Sequence, residues 1–479
     1  MRIAMISPEI GPFAKTGGLA DVVQTLSIAL EPRGHELRLI MPAYRTALEG
    51  GFSLQETPIQ VAVQLSDQTR EASVLKARLG QNISVYLVRA DRYFDREFLY
   101  ATPQGDYPDN AERFVFFCRA ALEILRNQTV DILHCHDWQA ALAIVFLKTQ
   151  PSLYPELTSA KTVFTAHNLG FQGLFSETQW PLFNLDRSWF SSRYLEFFGR
   201  IGLLKGALTF AEKITTVSPS YAREIMTAQQ GFGLEGVLRE RAQDVVGILN
   251  GVDYSQWNPE TDRFIEAHYS VENLAGKQSC KRFLQQTFGL PAKPDVPVIG
   301  MVSRLASQKG FDLVEKVLGH FLEQDLQFVL IGRGERPYEE FFTTLAARFP
   351  EKVAARIGFD EAIAHKIEAG ADIFLMPSLY EPCGLNQIFS MKYGTIPVVR
   401  AVGGLKDTVE DYDPLLGTGT GFVFGPYEPA ALQKALERAL ELFSVKREWT
   451  ALKKQAMAKD FSWERSARAY DTIYQRLMT

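Results

Sequence analysis

The sequence predicts an α/β protein made of two doubly wound parallel-sheet domains, and three observations carry that reading. Short apolar runs alternate with stretches of helical period along most of the chain. The alternation occurs twice, separated by a weaker region between Asn250 and Pro297 where Pro, Asp and Lys accumulate. The chain has 479 residues, more than one hydrophobic core usually serves. Continuous apolar runs are what parallel strands look like when helices cover both faces of a sheet.

The elements follow in order. Arg2–Ile6 is a short apolar run, and Ser7–Gly18 is rich in Gly and Pro. Leu19, Val22, Val23, Leu26, Ala29 and Leu30 recur at helical spacing, and Gly34 supplies the stop. Glu36–Met41 is the next strand, which completes a βαβ unit. Asp131–Cys135 reads as a strand before a helix at Gln139–Leu147, and Thr162–Ala166 as another strand. Ile214–Val217 runs into Ser218-Pro219, an N-cap followed by Pro at the first helical position. Val245–Leu249 ends at the turn signal Asn250-Gly251. In the second half Val298–Val302, Phe328–Ile331, Ile373–Met376 and Pro397–Arg400 read as buried strands between helices. A last helix from about Ser462 carries Trp463, Ala467, Tyr470, Ile473 and Leu477 on one face.

Composition excludes several functions. With 46% apolar and 22% charged residues the chain is an ordinary globular protein rather than a disordered one. Its net charge of −5 comes without any basic block, so phosphate-driven binding of nucleic acid is not expected. Met1–Ile10 has neither the basic start nor the long apolar stretch of a signal peptide. No segment approaches the roughly 18 apolar residues of a membrane span. Cys118, Cys135, Cys280 and Cys383 are scattered and form no CxxC, so no disulfide framework is expected and a reducing cytoplasm fits best.

Ligands of doubly wound domains bind at the carboxyl ends of strands, and two facing domains would enclose a cleft. The first strand ends in Pro12-Phe13-Ala14-Lys15-Thr16-Gly17-Gly18, where glycines admit a ligand to the backbone and a helix start offers free amides to an anion. A tight turn with a solvated lysine is the plainer reading. The loop is neither a Walker A sequence nor a GxGxxG fingerprint, which removes support from ATP hydrolysis and from NAD chemistry. His134-Cys135-His136-Asp137-Trp138 invites a zinc site, but residues 134 and 136 share one strand face while 135 points away, and no second ligand cluster accompanies them. Asp137 facing a sugar hydroxyl is preferred to a buried histidine with a structural aspartate. His167-Asn168 ends a further strand; the histidine either hydrogen-bonds a sugar or caps backbone.

In the second half Arg304 and Lys309 lie five residues apart in one loop after a strand, an arrangement that suits a diphosphate or, more plainly, a solvated basic turn. Tyr380-Glu381-Pro382-Cys383-Gly384-Leu385-Asn386 places a carboxylate beside a helix start. A carboxylate there would compete with a ligand anion for the same helix start unless it has its own task, such as holding ligand hydroxyls. Gly403-Gly404 repeats the glycine-then-helix design.

As a set, Lys15-Thr16-Gly17-Gly18-Leu19, His136-Asp137-Trp138, His167-Asn168, Asn250-Gly251-Val252-Asp253, Arg304 with Lys309, and Glu381-Pro382-Cys383-Gly384-Leu385 resemble the bacterial glycogen synthases and plant starch synthases in order and spacing. Asp109-Asn110-Ala111-Glu112-Arg113-Phe114 also looks like theirs, and the resemblance spans essentially the whole chain. It implies a GT-B fold: two Rossmann-like domains around a cleft, residues 1–250 completed by a C-terminal helix over 462–479, and residues 251–461 holding the nucleotide-sugar. It also implies the reaction, transfer of glucose from ADP-glucose to an α-1,4-glucan such as glycogen or a malto-oligosaccharide, with retention of configuration and release of ADP.

Carried over to this chain, the resemblance puts Lys15, Arg304 and Lys309 on the donor phosphates and Asp137, His167 and Glu381 around the glucose. Gly17, Gly18, Asp21, Asn168, Asn250, Tyr380, Cys383, Gly384 and Leu385 would complete the donor contacts. Phe359 stands where some relatives have a tyrosine near the adenine, and Phe389 stands where related retaining enzymes carry a second glutamate. No cofactor or metal is expected, because lysine and arginine can meet the charge that grows on the leaving diphosphate. A UDP-glucose-dependent enzyme of the same fold is the nearest alternative. A glycosidase would have no use for three cations together, and an inactive glucan-binding scaffold would not need to retain them. Tyr93, Phe94 and Trp138 are candidate acceptor contacts, though core packing is the commoner fate of such residues.

Overall fold

The computed structural model describes residues 1–102 and 104–479. The chain divides into two compact units: Met1–Val217 with Ala222–Ile248 and Trp463–Thr479, and Leu249–Ser462 with Ser218–Tyr221. The short excursion at Ser218–Tyr221 has a local cause. Ser218 Oγ donates to the carbonyl of Pro382 at 2.6 Å, and Ser220 gives both its amide and its hydroxyl to Asp407.

The first unit has a nine-stranded sheet in the order Val245–Gly247, Lys213–Thr216, Lys161–Ala166, Ile132–His136, Arg2–Ile6, Glu36–Pro42, Ile83–Arg89, Gln68–Arg78, Gln55–Leu65. The first seven run parallel. The last two are antiparallel, an edge pair added to the parallel sheet that the sequence predicts. The reason lies in the residue pattern. Val61, Val63 and Leu65 are buried while Gln60, Ala62 and Gln64 are exposed. A strand covered on one face only alternates in this way, and a tight hairpin joins such a pair directly.

Helix Asn110–Leu125 is buried on almost every side. Its Arg113 is fully buried and is satisfied by the carbonyls of Tyr93 and Leu99 and by Asn110 Oδ1, at 2.7–2.9 Å. That accounts for the Asn-Ala-Glu-Arg-Phe segment structurally. Helix Trp463–Met478 belongs to this unit. Its buried face is Trp463, Ala467, Tyr470 and Tyr474; the expected Ile473 and Leu477 lie half-buried beside it. It is held by Arg33–Glu464 at 2.6 Å, by His35–Asp471 at 3.0 Å, and by the Tyr474 hydroxyl 2.8 Å from His134 Nδ1.

The second unit has a six-stranded, wholly parallel sheet in the order Val353–Ile357, Gln327–Gly332, Val298–Val302, Ile373–Met376, Ile396–Arg400, Phe422–Phe424. Its central strands carry the apolar core, and helices Phe311–Phe321 and Pro429–Ser444 pack their buried faces onto that core. Among the described residues, no helix is long and apolar enough to cross a membrane.

Candidate active site

In the first unit, strands Arg2–Ile6, Ile132–His136 and Lys161–Ala166 are parallel neighbours, so the loops that follow them leave the same edge of the sheet. The Lys15 loop is tied down by Glu9, which is only 3% exposed. Glu9 accepts the Thr16 amide at 2.5 Å, the Thr16 hydroxyl at 2.6 Å and the Tyr100 hydroxyl at 2.7 Å. Gly18 then opens helix Gly18–Leu30, with Gly17 as its extended cap. Lys15 is exposed and forms an ion pair with Asp21 at 2.8 Å. Sequence reading missed Glu9 and Tyr100, because the residues they join are far apart in the chain and show no local pattern.

Asp137 follows its strand directly, in the left-handed region at φ 56°, and begins helix Asp137–Thr149. Its Oδ1 accepts the amide of His167 at 2.7 Å, which joins two of the predicted loops. Burial, with the Glu9 charge adding to it, pushes the Asp137 carboxyl up to about 7. His136 Nδ1 lies 3.1 Å from His167 Nε2, and the His134 ring packs at a tilt of 36° against His136, with centroids 4.1 Å apart. Burial lowers His134 and His167 to about 3 and holds His136 well below its ordinary value, so all three rings are neutral near pH 7. No group of three or more metal-ligating side chains occurs among the described residues. Asn168 Oδ1 accepts the amide of Gly170 at 2.9 Å.

Tyr93 and Phe94 are 2% and 0% exposed, which removes them as acceptor contacts. They pack with Tyr44, Phe116 and Phe117. Trp138 is half-buried against Phe114 and Phe175.

In the second unit, strands Val298–Val302, Ile373–Met376 and Ile396–Arg400 are again parallel neighbours. Lys309 Nζ reaches Glu381 Oε2 at 2.7 Å, and Ser378 Oγ donates to the same oxygen at 3.0 Å. The lysine side chain is 18% exposed and the glutamate 7%. Lys309 therefore offsets the charge that Glu381 would otherwise present to an anion bound at this helix start. The two loops are further joined by Gln308, whose Nε2 donates to the Tyr380 carbonyl and whose carbonyl accepts the Leu379 amide.

Glycine makes this closeness possible. Gly310 sits at φ +77°, where a Cβ would strike the Pro377 carbonyl, and Gly403 at φ +44°, where a Cβ would strike the Glu381 carbonyl. The amide of Gly404 donates to that Glu381 carbonyl at 3.1 Å.

The remaining predicted residues of this unit differ in setting. Arg304 is exposed, with Gln308 Oε1 at 3.5 Å. Gly384 sits at φ +72°, and Leu385 is the N-cap of helix Asn386–Lys392. Asn250 is 5% exposed, and its Oδ1 has no hydrogen-bond partner among the described residues. Cys383 is buried and its thiol is pushed up to about 12, so it offers no thiolate. Tyr380 is half-buried, and Phe359 is 83% exposed. Phe389 stacks flat on Trp257 at 3.9 Å, and Trp257 stacks on His365 at 3.7 Å. The position that bears a glutamate in other retaining enzymes is used here for packing.

Comparison with known proteins gives a consistent picture. Residues 2–240 match the family model described as starch synthase catalytic domain, and residues 284–455 match glycosyl transferases group 1. The chain is 48% identical over 478 residues to a glycogen synthase of Koribacter versatilis, with 99% of this chain and 98% of that protein covered. It is 44% identical to glycogen synthase 2 of Geobacter sulfurreducens, with 99% and 98% covered. Among solved structures, the catalytic domain of starch synthase IV from Arabidopsis thaliana, bound to ADP and acarbose, superposes with a TM-score of 0.92 at 33% identity, covering 99% of both chains. A sucrose-phosphate synthase from Thermosynechococcus elongatus shares the fold at 18% identity and a TM-score of 0.61.

Proposed function

The chain belongs to the glycogen synthase and starch synthase family of glycosyltransferases, and from that premise we propose that it extends an α-1,4-glucan by moving glucose from ADP-glucose onto the non-reducing-end 4-hydroxyl, with retention and release of ADP. The observation that carries this reading is the contact between Lys309 and Glu381 at 2.7 Å. It sets a cation suited to a leaving diphosphate beside a carboxylate suited to sugar hydroxyls, at the ends of adjacent strands.

When the glycosidic bond breaks, negative charge grows on the diphosphate and positive charge on the sugar ring. In our reading Arg304, Lys309 and Lys15 meet the first. The neutral rings of His136 and His167, with the carboxylates of Asp137 and Glu381, suit the second, because none adds positive charge near the ring. Asp21 orients Lys15, and Gly17, Gly18, Asn168, Asn250, Tyr380, Cys383, Gly384 and Leu385 shape the donor pocket, with Phe359 offering a face to the base. The first unit supplies the acceptor side and the glucose site, and the second holds the nucleotide. The acceptor hydroxyl attacks on the face the diphosphate leaves, and a phosphate oxygen takes its proton. The reaction needs no metal or organic cofactor, and the four free, buried cysteines suit a reducing cytoplasm.

A preference for ADP-glucose is favoured by the likeness to a starch synthase solved with ADP. The test is release of ADP or UDP from the two donors, with and without glycogen primer. Primer-dependent ADP release in clear excess is the expected outcome. Preference for UDP-glucose would overturn the donor assignment, and release of neither nucleotide would overturn the reaction.

A further inference from the structure

Two tight turns in the first unit share an unusual design. The hairpin between Glu196–Phe197 and Arg200–Gly202 turns on Phe198-Gly199, with φ of +47° and +74°. A second turn, closed by the Leu234 amide on the Gly231 carbonyl at 2.8 Å, is centred on Phe232-Gly233, with φ of +51° and +84°. Turns with both central residues left-handed ordinarily take Asn or Gly first, because a bulky side chain is strained there. Here both first positions are phenylalanine, and both rings face water: Phe198 is 82% exposed and Phe232 is 38% exposed. A strained backbone beneath a ring that water reaches gains less from burial than a core residue would, and strain that persists is a pointer to function.

The two turns touch. A Cβ on Gly233 would lie 3.0 Å from Phe197 Cζ and 3.2 Å from Phe198 Cε2, so glycine lets the rings close over it. Phe197 meets Phe198 edge-on at 4.7 Å. Gln172 Nε2 donates to the Phe232 carbonyl at 2.9 Å, and its neighbour Phe171 is 52% exposed. The Phe171 amide in turn donates to the carbonyl of Asn168, in the loop that carries His167. Exposed rings therefore continue directly from the loop assigned to the sugar. The charged side chains at the tip are turned to backbone: Glu196 Oε1 accepts the Gly199 amide at 2.7 Å, and Arg200 donates to the Leu174 carbonyl at 2.6 Å.

We propose that Phe171, Phe198 and Phe232 form an aromatic platform that binds a stretch of the α-glucan acceptor outside the reaction site, by stacking its glucose rings. The inference rests on the glucan-elongating reading above. Sugar rings present flat faces of polarised C–H groups, which complement the negative face of an aromatic ring and need no charged partner. At their exposures the three rings offer on the order of 350 Å², taking roughly 200 Å² for a phenylalanine. That is well below the roughly 800 Å² per partner of a stable protein interface.

The decisive variant is Phe198→Asn with Phe232→Asn. Asparagine suits both turns, so a purely structural role predicts an equal or higher melting temperature and unchanged glycogen binding. The platform predicts the same melting temperature with glycogen retardation in native affinity gels, run without donor, weakened at least about tenfold, equivalent to 1.4 kcal/mol. Phe198→Trp in the parent chain should keep or strengthen retardation, and Phe198→Leu should weaken it, since leucine has bulk but no flat face. Equal retardation of the double variant and a parent chain that releases ADP would overturn this inference alone. A parent chain that neither binds glycogen nor releases nucleotide would overturn the functional reading beneath it. A change in sedimentation with retardation intact would reassign the surface to protein contact and overturn the platform.

Discussion

Along its central strands the first unit buries a file of neutral histidine rings and hydroxyls, whereas the second unit buries lysine–carboxylate pairs. His134 sits between the hydroxyls of Tyr474 and Thr165, and His136 meets His167. In the second unit Lys309 pairs with Glu381 and Lys281 with Asp372, each at 2.7 Å. The cation proposed for donor phosphate follows the same division. Lys15 and its partner Asp21 are 50% and 39% exposed, while Lys309 and Glu381 are mostly enclosed. An exposed pair contributes little to stability, but a buried pair that loses one member leaves an uncompensated charge. Two residues with related catalytic tasks should therefore differ sharply in what they do for the fold.

The largest expected effect is on turnover. Lys15→Ala, Arg304→Ala and Glu381→Ala should each lower kcat by at least ~10² with ADP-glucose and glycogen. A folded Glu381→Ala enzyme with near-normal turnover would remove that residue from the chemistry. Next comes stability, read by urea unfolding. Glu381→Ala should cost about 3 kcal/mol through the stranded lysine, and Lys15→Ala under about 0.5 kcal/mol. Equal losses would break the contrast between the two units.

Acid should separate the units as well. The lowered values of His134, His136 and His167 mean that the unfolded chain takes up protons that the folded one refuses. The first unit therefore loses stability as pH falls from about 6.5 toward 3. Asp262 is held below its ordinary value by its bonds to His365 and Tyr393, against its burial, so its contribution is lost only below about pH 4. Hydrogen exchange at about pH 5 should show lost protection in Ile132–Ala166 before Val298–Met376. Asp137 runs the other way. Its raised value disfavours the ionised form in the folded state, so Asp137→Asn should raise the melting temperature by an amount that grows from about pH 4 to about pH 7 and is flat above. The smallest effect is Tyr474→Phe, which removes one hydroxyl from His134 and should cost about 1 kcal/mol.

Much of the fold was legible because buried parallel strands write themselves as apolar runs, and Val298–Val302 and Ile373–Met376 fall where the sequence puts them. The antiparallel pair Gln55–Leu65 and Gln68–Arg78 went unread although its period-two pattern stands in the sequence. The loops bearing Lys15, Asp137, His167, Lys309 and Glu381 were recognisable from glycine and charge placed after strands. Their partnerships were not. Lys309 and Glu381 are 72 residues apart, and nothing local in either segment announces the other. The exposed phenylalanines were equally silent, since a Phe-Gly pair reads as core until its backbone angles are known.

Helix Trp463–Met478 joins distant parts of the chain: Asp471 meets His35 across 436 positions, and Tyr474 meets His134 across 340. A chain leaving the ribosome normally folds its leading domain first. Here the leading unit must wait with His35 and His134 lacking these partners while the second unit is translated. The later unit, almost continuous in sequence, can close as soon as it emerges. The order of synthesis and the order of completion are thus reversed, because the helix that finishes the first unit is translated after the whole of the second.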